Sequence, residues 1–105
     1  MYMLGVYVPK EYLEKVKQAL FFAGGGKFGN YDCCCWQTRG EGQFRPLVGS
    51  DPFLGTVGKM EKVEEWKLEM IVPEETAEAV IKALKKSHPY EVPAYHLLKM
   101  DEIDM

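Results

Sequence analysis

Twice in this sequence a run of alternating apolar and polar residues meets a proline and gives way to a helical stripe. Tyr2, Leu4, Val6 and Val8 share one parity, Met3, Gly5 and Tyr7 the other, and Pro9 follows. Further on, Trp66, Leu68, Met70 and Val72 alternate with Glu65, Lys67 and Glu69 ahead of Pro73. A period of two sends successive side chains to opposite faces, so each run predicts a strand with one buried face. Proline has no N–H for a ladder, and its fixed φ suits the first turn of a helix. After Pro9, Leu13, Val16, Leu20 and Ala23 recur at helical spacing; after Pro73, Ala77, Val80, Ile81 and Leu84 do the same. Gly24-Gly25-Gly26 closes the first helix, glycine accepting the left-handed conformation found there. Pro89 disfavours helix at His88 and closes the second.

Between the two units, Tyr31 to Thr38 predicts a second strand, Gly40-Glu41-Gly42 a turn, and Gln43 to Leu47 a return strand. Leu47 to Gly58 is rich in glycine and proline and predicts a loop. Val63 has the wrong parity for the long strand from Glu61 to Val72, which predicts a bulge or a change of partner near Glu64. Pro93 to Met100 is a last strand, followed by a short acidic tail. Strand, helix, strand pair, long strand, helix, strand is the order of an α+β ferredoxin-like sandwich. It has an antiparallel sheet with two helices on one face, plus an extra β-ribbon, in a single domain over 1–105. The helices leave the other face with groups such as Met3 and Tyr7, and with Trp36 or Tyr95. An apolar sheet face is usually covered, so the chain is expected to be a homo-oligomer, a trimer in preference to a dimer.

The charges sum to 13 − 16 = −3 and form no long run. That balance argues against nucleic acid as a partner, because such affinity rests on Lys and Arg neutralising phosphates. The polar positions of the long strand, Glu65, Lys67 and Glu69, also argue against the RNA-binding variant of this fold. No apolar run approaches bilayer length, and no basic-then-apolar leader is visible, so no membrane association is expected. Three cysteines, an odd number, fit a reducing compartment, and the expected location is cytoplasmic.

Glycine-rich segments between Gly24 and Gly58, together with His88-Pro89-Tyr90-Glu91, are the candidates for a site. Gly24 to Lys27 is not a phosphate loop: Phe28 stands where Ser or Thr is required, and the run follows a helix rather than a strand. Its ordinary reading is a helix cap and turn. On a strand, Cys33 and Cys35 would share a face and Cys34 take the other, so the three thiols would not close on one zinc and are expected to be buried apolar groups. His96 reads as a partly buried strand histidine. His88 reads either as a helix-terminal residue favoured by the dipole or as a ligand or metal contact. No nucleophile–base pair is visible, so no enzyme is expected. The candidate ligand-binding set is Gly26, Lys27, Gly29, Asn30 and Tyr31, with Gly26 to Asn30 for close backbone approach, together with His88 and Glu91 for polar or metal contact and Tyr90 for stacking or hydrogen bonding. His88 and Glu91 are the candidates for a divalent metal ion.

Several motifs resemble the NIF-three-like (YqfO-type) family. They are Gly26-Lys27-x-Gly29-Asn30-Tyr31-Asp32-x-Cys34-x-Trp36, Gly40-Glu41-Gly42-Gln43-Phe44-Arg45-Pro46-Leu47, Gly49-Ser50-Asp51-Pro52, Gly55-x-x-Gly58 and Glu61-x-Val63-Glu64-Glu65. Glu69-x-Ile71-Val72-Pro73 and His88-Pro89-Tyr90-Glu91-Val92-Pro93-Ala94-Tyr95 continue the match. The resemblance is to the domain inserted in those longer proteins, itself similar to the CutA and PII-like group of ferredoxin-like trimers. It implies a trimer-capable, non-enzymatic module for a small molecule or metal ion at subunit clefts. The dinuclear metal site of the longer proteins lies on flanking segments not found in this sequence, so its hydrolase activity is not implied. The resemblance also places Cys34 and Trp36 among core residues, whereas Cys33 and Cys35 depart from the pattern. The alternative reading is a structural or protein-interaction module that assembles with itself or with a full-length relative.

Overall fold

The computed structural model describes residues 1–101 and contains the two strand–proline–helix units. Strand β1 spans Tyr2–Pro9; a 3₁₀ turn at Lys10–Tyr12 leads into helix α1, Leu13–Phe22. Strand β2 is Trp36–Phe44 and β3 is Glu61–Val72. A second 3₁₀ turn, Glu74–Thr76, opens helix α2, Ala77–Ser87, and β4 is Tyr95–Lys99. The sheet is antiparallel in the order β2-β3-β1-β4. This is the α+β ferredoxin-like sandwich that the pattern predicts. The acidic tail falls partly on 102–105, outside the described residues.

Alternation decides which face is buried. Leu4, Val6 and Val8 of β1 and Leu68, Met70 and Val72 of β3 meet Leu13, Val16 and Leu20 of α1 and Val80 and Leu84 of α2 in one core. Each such side chain contributes on the order of 1.5–3 kcal/mol by leaving water. The helix ends are tied to one another as well: the Thr76 hydroxyl donates to the Gly24 carbonyl at 3.2 Å. The opposite face carries Met3, Tyr7, Lys67, Glu69, Ile71, Leu98 and Trp36, by register. Tyr95, expected there, pairs with Val6 and packs on the core side instead.

Two local expectations change. Gly40-Glu41-Gly42 is no turn: β2 runs straight through it, pairing with β3 in unbroken register from Trp36–Glu69 to Phe44–Glu61. The ribbon exists, but it is the overhang of β2 and β3 beyond the point where β1 ends at the Pro9–Glu65 pair. The change of partner near Glu64 is therefore real, and no bulge is needed. Secondly, β2 starts at Trp36, so the three cysteines precede it. Cys33 adopts φ 54, a left-handed conformation incompatible with a strand. Cys33 and Cys35 are exposed and Cys34 is half-buried, not the buried groups expected. Trp36 is 68% exposed on the helix-free face, so it is no core residue of the single chain.

Candidate functional site

The sequence candidates fall into two places. Gly24, Gly25 and Gly26 are buried at the end of α1, and the Gly26 N–H donates to the Ile71 carbonyl at 2.7 Å. Lys27, Gly29, Asn30 and Tyr31 form an exposed turn closed by reciprocal Phe28–Tyr31 backbone bonds. The Cys34 N–H returns to the Gly26 carbonyl at 2.9 Å. His88 sits elsewhere, bonded to Tyr7, which pairs with Lys67. Lys67 lies four residues from Ile71 along β3, roughly 13 Å away. The glycine turn and the His88 segment are thus at separate positions along the sheet, and one chain does not bring them together.

The His88 corner is built around a fully used imidazole. Extended backbone before Pro89 ends α2 at His88 and turns the ring inward, leaving it 6% exposed. Its Nε2 lies 2.7 Å from the Tyr7 carbonyl, and its Nδ1 accepts the Tyr90 N–H at 3.1 Å. That pair of contacts fixes the Nε2–H tautomer. Burial, the dominant influence, pushes the His88 pKa below its ordinary value, against smaller opposing effects of the Tyr7 carbonyl and the Glu65 charge. A neutral ring with both nitrogens engaged has no lone pair for a metal ion. His88 and Glu91, the metal candidates, each make protein contacts instead, and among the described residues no three His, Cys, Asp or Glu side chains converge on one point.

The segment after His88 meets a part of the molecule that holds none of the individual ligand-binding candidates read from the sequence. Residues 45–60 form a strap whose base is closed by the Gly58 N–H on the Pro46 carbonyl at 2.7 Å. Glu91 Oε1 accepts the Asp51 N–H at 3.0 Å and pins the strap to the α2–β4 link. Phe53 of the strap packs edge-on against Tyr12 at 5.4 Å and tilts against Tyr90 at 6.3 Å; Phe44 approaches Tyr90 at 6.2 Å. Phe44, Phe53 and Tyr90, together with Pro46, Pro52, Glu65 and Glu91, line a cleft of about 270 Å³.

Glu65 reaches the cleft because Gly42 has no side chain. The two share the strand face turned from the helices, and a Cβ on Gly42 would collide with the Glu65 carboxylate. The Tyr90 hydroxyl is buried without a hydrogen-bond partner, with the Glu65 carboxylate nearby. Burial first, then Glu65, pushes the phenol pKa far above its ordinary range. Phe44, Phe53 and Glu65 are the residues that sequence reasoning missed. Two glycines spaced by two within an alternating run were the available signal, since a strand glycine often marks a close approach.

Comparison with known proteins agrees with the motifs. The CutA1 divalent ion tolerance protein model matches residues 56–105. A Bacillus subtilis protein named GTP cyclohydrolase 1 type 2 homolog is 48% identical over 99 residues, 94% of this chain but 26% of the relative. The chain therefore spans about a quarter of the length of the curated relatives it matches. Among solved structures, a Bacillus cereus protein related to NIF3 superposes with a TM-score of 0.82 at 38% identity, covering 96% of this chain and 26% of that one. CutA1 from Pyrococcus horikoshii superposes with a TM-score of 0.70 at 21% identity, covering 99% and 87%. The second likeness is one of fold. The chain thus resembles both a segment of the NIF-three-like proteins and, in architecture, whole CutA proteins.

Proposed function

We propose that this chain is a non-enzymatic binding module that recognises a small ligand beneath the 45–60 strap and assembles with copies of itself. The observation that carries the reading is the cleft between the strap, the overhanging ribbon and the Tyr90–Glu91 segment, with three aromatic rings and two carboxylates in its walls. Ligand pockets are typically apolar concavities with a few fixed polar groups, and this one has that composition. The similarity to CutA1, a name that speaks of divalent ion tolerance, fits a regulatory or binding role. Catalysis is left out of the reading because His88, the histidine beside the cleft, has both ring nitrogens occupied. The curated relatives' name concerns proteins about four times as long. We expect no GTP turnover by the chain alone, a point that a phosphate- and product-release assay checks.

A thermal-shift screen against divalent metals, nucleotides, amino acids and amines tests the reading. A ligand at ~100 times its dissociation constant stabilises by about 2.7 kcal/mol. For a domain of this size that raises Tm by roughly 10 °C. A shift in the native protein that disappears in Phe53→Ala supports the cleft. No shift from any class, or one indifferent to Phe53 and Tyr90, removes it. A second reading, a purely structural assembly module, draws on the exposed Trp36, Tyr7 and Leu98 of the helix-free face. Under that reading the same substitutions leave every ligand response unchanged.

A further inference from the structure

Resting on the ligand-binding reading, the geometry points to a small, flat, apolar cation, an aromatic or aliphatic amine or amidine, as the class of molecule that the strap cleft accepts, with anions rejected. Three observations converge. First, Phe44, Phe53 and Tyr90 present ring surface around the space, and aromatic faces attract cations. Secondly, among the described residues the ionisable side chains in the lining other than Tyr90 are the carboxylates of Glu65 and Glu91, with no Lys, Arg or His. An anion entering there would leave water to face two like charges with no compensating donor. Thirdly, the Tyr90 hydroxyl beside Glu65 is closed off from solvent, so the carboxylate rather than the phenol is the group that an entering N–H would meet.

The placement of Glu65 supports a built feature rather than a stray surface charge. Its carboxylate lies where the Gly42 side chain would be, on an otherwise regular strand pair. Glu91 is oriented independently, by the Asp51 N–H. A cleft of about 270 Å³ bounds the size: it is slightly below the range of drug-sized pockets, so a ligand of about ten non-hydrogen atoms fits.

Three probes of one shape and different charge test this: benzylamine, benzyl alcohol and benzoate, titrated into the ¹⁵N-labelled full chain at neutral pH. Benzylamine is expected to shift the amides of Asp51, Phe53 and Tyr90 and to bind at least about tenfold more tightly than benzoate, the size of effect a cation–aromatic contact and a facing carboxylate give. Glu65→Gln is expected to narrow that ratio to under about threefold while the rest of the spectrum stays in place. Benzoate binding as well as benzylamine, or benzylamine leaving those amides unmoved, overturns the charge assignment. If neutral or anionic probes occupy the same amides, the cleft remains a ligand site and only its cation preference falls. The unaltered protein alone decides the charge order, so a Glu65→Gln chain that fails to fold does not protect the proposal.

Discussion

His88 shows how one side chain can be read correctly in sequence and still be misassigned in role. Its position beside a helix-ending proline was legible, because Pro89 acts through local sterics. Its burial was not, because the groups that use its nitrogens lie 81 residues away at Tyr7 and two residues on at Tyr90. With its pKa held below 6.5, the unfolded chain binds a proton that the folded chain refuses. Stability therefore falls as pH drops below about 6.5, and His88→Gln, which keeps an N–H for the Tyr7 carbonyl, should flatten that dependence in urea melts at pH 5 and 7. Tyr90 behaves in the opposite sense. Its raised pKa means that stability is intact below the ordinary tyrosine value of 10.0 and is lost as pH rises beyond it. Tyr90→Phe removes an unpartnered buried hydroxyl. It should leave stability at pH 7 unchanged or higher by up to about 1 kcal/mol, and abolish the contribution of Tyr90 to alkaline unfolding, both measurable by urea melts.

At the level of elements, what could be read followed periodicity, and what could not followed glycine. The strand–proline–helix units were legible because every apolar position obeys one period, from Leu4 to Val8 and from Ala77 to Leu84. Glycine's usual habit reads Gly40 and Gly42 as a turn, yet β2 runs through both, and the small size of Gly42 admits Glu65 to the ribbon face. Gly26 is the reverse case, a capping glycine whose φ of 74 is needed. A Cβ there would meet the Cys34 carbonyl and the Phe21 ring at 2.8 Å. Gly26→Ala should destabilise by more than about 1 kcal/mol. Gly42→Ala should alter stability by under about 1 kcal/mol, because the atom it meets ends a flexible side chain, while displacing the Glu65 carboxylate from the cleft. Denaturant titration of the two variants side by side distinguishes a glycine kept for backbone from one kept for space. The cysteine triplet was misplaced for a related reason: the strand was expected to begin five residues early, and a left-handed Cys33 is not foreseeable from residue type.

Across the whole molecule, one face of the sheet is spent on the core and the other is not. Trp36 and Leu98 stand 68% and 58% exposed on that second face. The expectation of a trimer remains a proposal, and sedimentation equilibrium at micromolar concentration should give three times the 12.0 kDa chain mass, with Trp36→Glu shifting it towards the monomer. The recognition we propose lies beneath the strap, between Phe53, Tyr90 and Glu65. The most direct test is to locate a bound molecule, by ¹⁵N chemical-shift mapping or a crystal structure with the best ligand from the thermal screen. The bound molecule is expected to lie against Phe44, Phe53 and Tyr90; a ligand seated instead at the Gly26–Tyr31 turn, clear of the strap, would contradict recognition there.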